Sequence, residues 1–506
     1  MTRRLRIALI TIAMSAASFA LKAPTATQTT RLTPDSASYF NVARNLASGR
    51  GYVSTLKQRY PDGSGVRHCA LTDWPPAYPA FSALLVRHGA DMIALQTANA
   101  MLVSISAALV FLLGVRLFGL REGLMAGCAA ALAPNLFRAG IVALSDALAL
   151  TLALAAILIA LSSRGAWAWL AAGVIAGAAA LTRYPCAVVA LGLIGWALID
   201  RKDRILSLAC AAGFAVTVTP FALCSLSNGS PVQALHYCVG SFHEAMWHSQ
   251  TTIDPLYALH HPAQVAALTA RNVLVYASDL LIGPRGLFIL GLGLLAWLLT
   301  ARKHPMAREH KLVLAIAALS FTVHALTWSV PAVKGSRFML LTYCALLPFC
   351  TSGLLRYSMG RLGPVAAAVL VITGLVYVWG CATAASFRGT DFPLPPETAR
   401  SIADSLPSGT NLASDNPWVV NYSTGLPTVI LPRDLDDESL ARYIRDMKIG
   451  KIVLLGNRRC AQSAISNRYG QNAYEGKWKI MPHIVQKLPT THSPRITPRK
   501  NGSARL

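Results

Sequence analysis

Ionisable residues are scarce in this chain, with 22 Asp and Glu and 46 Lys and Arg among 506 residues. One that stands beside an apolar run therefore calls for a reason. Asp35, in Thr33-Pro-Asp35-Ser, opens a stretch with Tyr39, Val42 and Leu46 at spacings of three and four, which is one apolar stripe on a helix. Thr-Pro-Asp-Ser is a good N-cap, and a carboxylate there satisfies free backbone N–H groups. A cap and a chemical role are compatible, because a capping carboxylate is rigidly held. Asp146, in Ala143-Leu-Ser-Asp146, stands at the mouth of another apolar helix. The helix macrodipole favours an acid there, and an acid at that place is also a functional candidate. Arg183 lies between two apolar runs in Leu181-Thr-Arg183-Tyr-Pro, and Lys334 and Arg337 lead another in Lys334-Gly-Ser-Arg337-Phe. Several cations at one membrane depth suit a lipid phosphate. For any single one of them, snorkelling to headgroups is the simpler reading. Arg138, Lys57, Arg59 and Arg67 are weaker candidates.

Other chemistries lack their residues. His243-Glu-Ala-Met-Trp-His248 misses the HExxH spacing, because histidines five apart point about 140° apart around a helix. No nucleophile elbow is present. The 10 cysteines are scattered with no CxxC pair, so neither a disulfide framework nor a metal cluster is implied. No metal ligand is assigned.

These residues are carried by a chain that is 54% hydrophobic and 13% charged, with a mean hydropathy of +0.45. Soluble chains carry about 25% charged residues, so an ordinary cytosolic enzyme is excluded, as is a disordered chain. The net charge of +24 comes from cations that punctuate apolar runs, which points to membrane topology and away from nucleic acid. About eleven runs approach the roughly 20 residues that span a bilayer. They lie near 6–24, 92–115, 123–137, 146–162, 166–182, 186–200, 205–224, 286–301, 312–330, 338–355 and 363–384. In lipid these runs must be helices.

With the N-terminus inside, the inner ends hold Arg3, Arg4, Arg6, Arg116, Arg121, Arg164, Arg201, Lys202, Arg204, Arg302, Lys303, Arg308, Lys311, Arg356 and Arg361. The short outer loops hold only Arg138, Arg183, Lys334 and Arg337. Fifteen against four sets the orientation, and an odd helix count puts the C-terminus outside. The first run shares features with a signal peptide, and an uncleaved helix is the preferred reading.

Two outer loops are long, 25–91 and 225–285, and loops of that length are usually functional or disordered. The first is read as holding an amphipathic helix on the outer membrane surface, ended by Gly49 and Gly51. Residues 1–387 thus form a transmembrane unit. After a linker with Pro393, Pro395 and Pro396, residues 388–489 have the alternation of a small α/β domain. Thr428 to Leu431 and Ile452 to Leu455 read as strands, and a helix begins at Asp437. Residues 490–506 are a basic tail expected to be disordered.

The ordered set of motifs resembles the polytopic glycosyltransferases of the GT-C type, which include the protein O-mannosyltransferases and the lipid A aminoarabinose transferases. The resemblance covers roughly residues 1–385. It rests on Asp35-Ser-Ala-Ser-Tyr39-Phe-Asn-Val-Ala43 ending in Gly49-Arg-Gly51-Tyr52, then Trp74-Pro75-Pro76-Ala-Tyr78-Pro79, Ala133-Pro134, Ser145-Asp146, Gly177 with Leu181-Thr182-Arg183, and Arg337 before a run containing Pro348. It departs from the family where a double acid is common, since Ser36 follows Asp35. It departs again at Asp73-Trp74, where some members carry a Lys.

The resemblance implies a periplasmic or lumenal cavity and a first-loop acid, Asp35, acting as general base with inversion at the sugar. Asp146 would be the second acid. Arg337, Arg183 and Lys334 would hold a polyprenyl phosphate, with Tyr39, Arg138 and Arg59 as weaker substrate contacts. The donor would be a polyprenyl-phosphate-linked hexose or pentose, and the acceptor a hydroxyl of a lipid, glycan or protein. No cofactor is required, although a divalent metal is compatible. The location implied is a bacterial inner membrane, with the site and C-terminus periplasmic. A transporter or flippase for a lipid-linked or anionic substrate is the alternative, and a non-catalytic scaffold the third reading. Convergence of Asp35, Asp146 and the outer cations on one place discriminates among them.

Overall fold

A backbone in hydrocarbon has no water to bond, so each apolar run closes its own N–H···O=C ladder as a helix. The structure, a computed structural model, describes residues 2–57, 68–69, 75–199, 203–227, 260–281, 288–301, 306–327, 337–358, 363–387, 392–431, 437–455 and 479–481. Lys334, Arg59, Arg67, the 243–248 histidine pair and the 490–506 tail lie outside these residues.

The N-terminal half contains α1 (Arg3–Gln28), α2 (Pro34–Ala47), α3 (Ala77–Arg87), α4 (Met92–Leu117), α5 (Leu120–Leu132), α6 (Pro134–Ile141), α7 (Asp146–Ser162), α8 (Ala166–Thr182), α9 (Ala187–Ile199) and α10 (Arg204–Ser227). Then follow α11 (Pro262–Leu281), α12 (Phe288–Ala301), α13 (Arg308–Thr327), α14 (Leu340–Ser358) and α15 (Gly363–Ala385). Among the described residues, four helices are long and apolar enough to cross a membrane unaided: Arg3–Gln28, Met92–Leu117, Arg204–Leu226 and Arg308–Leu326. Shorter apolar helices pack among them, and the chain is an integral membrane protein.

The span expected at 123–137 is a pair of helices, α5 and α6, bent by 54°. Pro134 opens α6 and has no N–H to give. The carbonyls freed at the break take other donors: Lys22 Nζ of α1 donates to Ala131 O at 2.9 Å, and Cys381 Sγ donates to Leu132 O at 3.0 Å. The loop that follows leads directly to Asp146.

The end of the segment expected as a loop at 225–285 is a helix, α11. Tyr276, Asn272 and Leu280 of α11 are buried, and Asn272 Nδ2 donates to Ala325 O of α13 at 3.1 Å. Arg271 and Asp279 interrupt the hydropathy of this segment, which made a helix that packs in the bundle read as loop. At the end away from Asp146, Arg116 pairs with Glu309 at 3.4 Å and Arg308 with Asp203. These pairs tie α4, α10 and α13 across a cavity of about 120 Å³.

The remaining strands build two sheets, an antiparallel pair of the first and third strands and a five-stranded sheet. Strands β1 (Val53–Ser54), β2 (Leu56–Lys57) and β3 (His68–Cys69) come from the first long loop, followed by β4 (Asn411–Ser414), β5 (Thr428–Ile430), β6 (Ile449–Leu454) and β7 (Lys479–Met481). Helices α16 (Pro396–Asp404), α17 (Pro417–Thr424) and α18 (Asp437–Asp446) alternate with them. The five-stranded sheet runs β2-β5-β4-β6-β7, parallel except for β7. Its edge strand β2 is contributed by the first loop, with Leu56 opposite Thr428. The first loop and the C-terminal segment are therefore joined through one sheet.

Helix α2 corrects two expectations. It does not lie on the lipid surface: nine of its 14 residues are buried, including Tyr39, Phe40 and Asn41. Its N-cap is Thr33, not Asp35. Thr33 Oγ1 accepts from Ser36 N at 3.1 Å and Ser36 Oγ accepts from Thr33 N at 2.8 Å, which is a reciprocal capping box. Asp35 in the first turn is thereby left free of capping duty.

Candidate functional site at the head of helices α2 and α7

Four of the ionisable residues singled out in the sequence converge. Arg337 donates through Nη1 to Asp35 Oδ2 at 2.7 Å and through Nε to Asp146 Oδ2 at 2.7 Å. Arg183 donates through Nη1 to the other oxygen, Asp146 Oδ1. Phe338 lies beneath both guanidinium groups, with its ring centre 5.2 Å from Arg183 and 5.8 Å from Arg337. Two carboxylates and two guanidinium groups balance in charge, which makes their shared burial tolerable.

The two acids differ in access. The Asp146 side chain is 2% exposed and accepts from both arginines, whereas the Asp35 side chain is 23% exposed and meets Arg337 alone. Asp146 is placed to hold the two cations in register. Asp35 is the carboxylate that a solute can reach.

Asp146 owes its position to the loop before it. Asn99 of α4 donates from Nδ2 to Val142 O at 2.8 Å and Leu144 O at 2.7 Å. Tyr78 Oη in turn donates to Asn99 Oδ1 at 3.2 Å. The Tyr39 ring meets Tyr78 edge-on at 5.0 Å, and Tyr39 Oη shares a hydrogen bond with Ser145 Oγ at 2.9 Å. Burial, and then the Asp35 carboxylate, push the Tyr39 hydroxyl above the ordinary tyrosine range, so it serves as a neutral hydrogen-bonding group. Tyr39, a weaker substrate contact in the sequence reading, is 3% exposed and braces α2 against Ser145. Arg138 stacks over Phe387 at 4.2 Å.

Sequence reasoning gave no role to Asn99, Ser145, Tyr78 or Phe338. Asn99 carried a signal, as an uncharged amide inside the apolar run of α4. Phe338 carried none, because an aromatic at a span entrance is ordinary.

Among the described residues no group of three or more His, Cys, Asp or Glu is placed to hold a metal ion. Both site carboxylates are engaged by guanidinium groups.

Residues 73–225 match the family described as dolichyl-phosphate-mannose-protein mannosyltransferase. No curated protein matches the chain by sequence. Solved structures do match in fold. The oligosaccharyltransferase of Archaeoglobus fulgidus, in a complex with Zn and sulfate, aligns at a TM-score of 0.62 and 14% identity over 88% of this chain and 67% of that one. ArnT from Cupriavidus metallidurans, bound to undecaprenyl phosphate, aligns at 0.57 and 14% over 90% and 94%. The Archaeoglobus fulgidus AglB, in complex with an inhibitory peptide and a dolichol-phosphate, aligns at 0.58 and 12% over 94% and 75%. The chain shares the fold of these three solved structures. In this chain the matched 73–225 region contains Asp146 and Arg183, while Asp35 and Arg337 flank it on either side.

Proposed function

We propose that the protein is a membrane glycosyltransferase that moves a sugar from a polyprenyl-phosphate carrier to an acceptor hydroxyl on the outer face of the membrane. The carrying observation is that Arg337 bridges Asp35 and Asp146 while Arg183 shares Asp146. Cations for a phosphate and an accessible carboxylate for a proton are thus a few ångströms apart. The lipid phosphates bound in the ArnT and AglB structures, undecaprenyl phosphate and a dolichol-phosphate, support the carrier class.

The acceptor oxygen attacks the anomeric carbon and forms the new C–O bond. The bond from that carbon to the phosphate oxygen breaks, and its electron pair leaves on the carrier phosphate. The acceptor proton passes to the Asp35 carboxylate. Attack from the side opposite the phosphate gives inversion. A guanidinium carries five N–H donors, and the two carboxylates engage two of those on Arg337, so Arg337 can also meet the developing phosphate charge. Charge-assisted bonds of that kind act where charge develops. Asp146 holds both arginines, and a polyprenyl carrier that cannot leave the bilayer explains why this chemistry belongs to a membrane-embedded chain.

The orientation read from Lys and Arg supports a periplasmic site in a bacterial inner membrane. The test incubates purified protein in nanodiscs with polyprenyl-phosphate-linked sugars and separates lipid extracts. Release of free polyprenyl phosphate that is abolished by Asp35→Asn is the expected result. Vectorial movement of the intact lipid-linked sugar across proteoliposomes, with no bond broken, would replace this reading with the flippase alternative.

A further inference from the structure

Asp35, Tyr39 and Val42 share one side of α2. Phe40, Asn41, Arg44 and Asn45 occupy the other, which faces the strands of the first loop and the C-terminal segment. Asn41 Nδ2 donates to Thr55 Oγ1 at 2.6 Å and to Asn421 Oδ1 at 2.8 Å. Asn41 Oδ1 accepts from Thr55 N at 3.0 Å and Ser54 Oγ at 3.2 Å. Asn421 Nδ2 donates to Leu426 O at 2.8 Å, and Arg44 Nη2 donates to the Asn421 carbonyl at 3.3 Å. Phe40 meets Tyr422 at 5.4 Å beneath the Arg44 guanidinium. Asn41, Thr55 and Asn421 are 2%, 1% and 0% exposed.

From this geometry we infer that the C-terminal segment sets the position of Asp35, acting through Asn421 on Asn41. The inference rests on Asp35 as the reacting carboxylate. Asn421 is then a positioning residue: it touches no substrate, and its effect travels along a rigid helix. A buried amide that loses a partner is costly, so a network of satisfied amides has one favoured arrangement. That arrangement fixes the rotation and height of α2. Asn41 lies six residues beyond Asp35, about 9 Å along the helix axis, and Tyr39 to Ser145 fixes the opposite side. Displacements of about 1 Å at a reacting group cost about 10²-fold in rate. The sheet pairing of β2 with β5 adds a second tether, since Thr428 N donates to Thr55 O at 2.9 Å.

The test uses the full chain in nanodiscs with Asn421→Ala and the milder Tyr422→Leu, read by hydrogen–deuterium exchange and by transfer kinetics. The expected result is exchange in residues 34–47 at least tenfold faster, with residues 92–117 unchanged. The maximal rate should fall at least tenfold while KM for the lipid donor holds, because Arg183 and Arg337 are not on α2. Unchanged exchange in 34–47, or faster exchange with an unaltered rate, would overturn the inference. If Asn421→Ala does not accumulate, Tyr422→Leu decides by the same readouts. A wild-type protein that transfers no sugar, yet shows the exchange response, would locate the failure in the proposed function and not in the coupling.

Discussion

Tyr39 Oη and Ser145 Oγ lie 2.9 Å apart, and this one contact joins the helix of Asp35 to the helix of Asp146. Tyr39 is one helical turn after Asp35, and Ser145 immediately precedes Asp146. The separation of the two carboxylates is thereby held by a neutral hydrogen bond, in addition to the charged bridge through Arg337. Tyr39→Phe removes the hydroxyl and leaves Ser145 without that partner, at a cost of roughly 0.5–1.5 kcal/mol. Because folding raises the Tyr39 pKa, its contribution is present below the free tyrosine value of about 10 and declines as pH rises above it. Thermal unfolding of both proteins at pH 8 and pH 11 checks this. The wild-type advantage should shrink at the higher pH, and a gap that widened would contradict the sign.

Asp35→Asn tests the proton acceptor. Thr33 and Ser36 hold the cap, so the substitution leaves the helix start intact and the protein should accumulate normally. Transfer should fall by about 10²-fold or more. Near-normal turnover by a well-folded Asp35→Asn protein would falsify the base assignment.

Removal of Arg337 tests the bridge. Arg337→Ala deletes two charge-assisted bonds, each worth roughly 1.5–3 kcal/mol, and leaves the buried Asp146 with Arg183 alone. Transfer should be lost and donor binding weakened. Arg337→Lys should recover little, since a point-like ammonium cannot reproduce the planar fork that reaches both carboxylates. Titration with polyprenyl phosphate distinguishes the outcomes: affinity equal to wild type in Arg337→Ala would mean that the arginine serves the carboxylates only.

The cap itself gives a stability prediction with a known scale. Thr33→Ala removes the acceptor for Ser36 N and should cost about 0.5–2 kcal/mol. The expected sign is earlier unfolding of the protein, together with faster amide exchange near Ser36. An unaltered exchange rate there would show that the capping box contributes nothing measurable.

Sidedness follows from the charge asymmetry and is open to direct labelling. A cysteine at Ser408 should react with an impermeant maleimide in intact spheroplasts, whereas one at Arg164 should react only after lysis. Both positions are exposed. The reverse pattern would invert the orientation.

The sequence by itself determined what depends on neighbours along the chain. Apolar runs became helices because their hydrogen bonds are local, and Thr33-Pro-Asp35-Ser became a helix start for the same reason. Even so, choosing between Thr33 and Asp35 as the cap needed the side-chain geometry. The β-strands at 428 and 452 were readable as short buried runs between turns. Tertiary structure alone decided what joins distant segments. Arg337 meets Asp35 across 302 residues and Asp146 across 191, and no periodicity encodes which cation pairs with which acid. The buried back of α2 was equally invisible. Asn41 and Asn45 look like solvent-facing residues of a surface helix until Thr55 and Asn421 arrive to satisfy the first and Val53 the second. The edge strand at Leu56 is two residues long, and only its pairing with Thr428 makes it a strand. A helix selects its own bonds, whereas a bridge, a buried amide network and a sheet edge exist only once packing has brought their partners within reach.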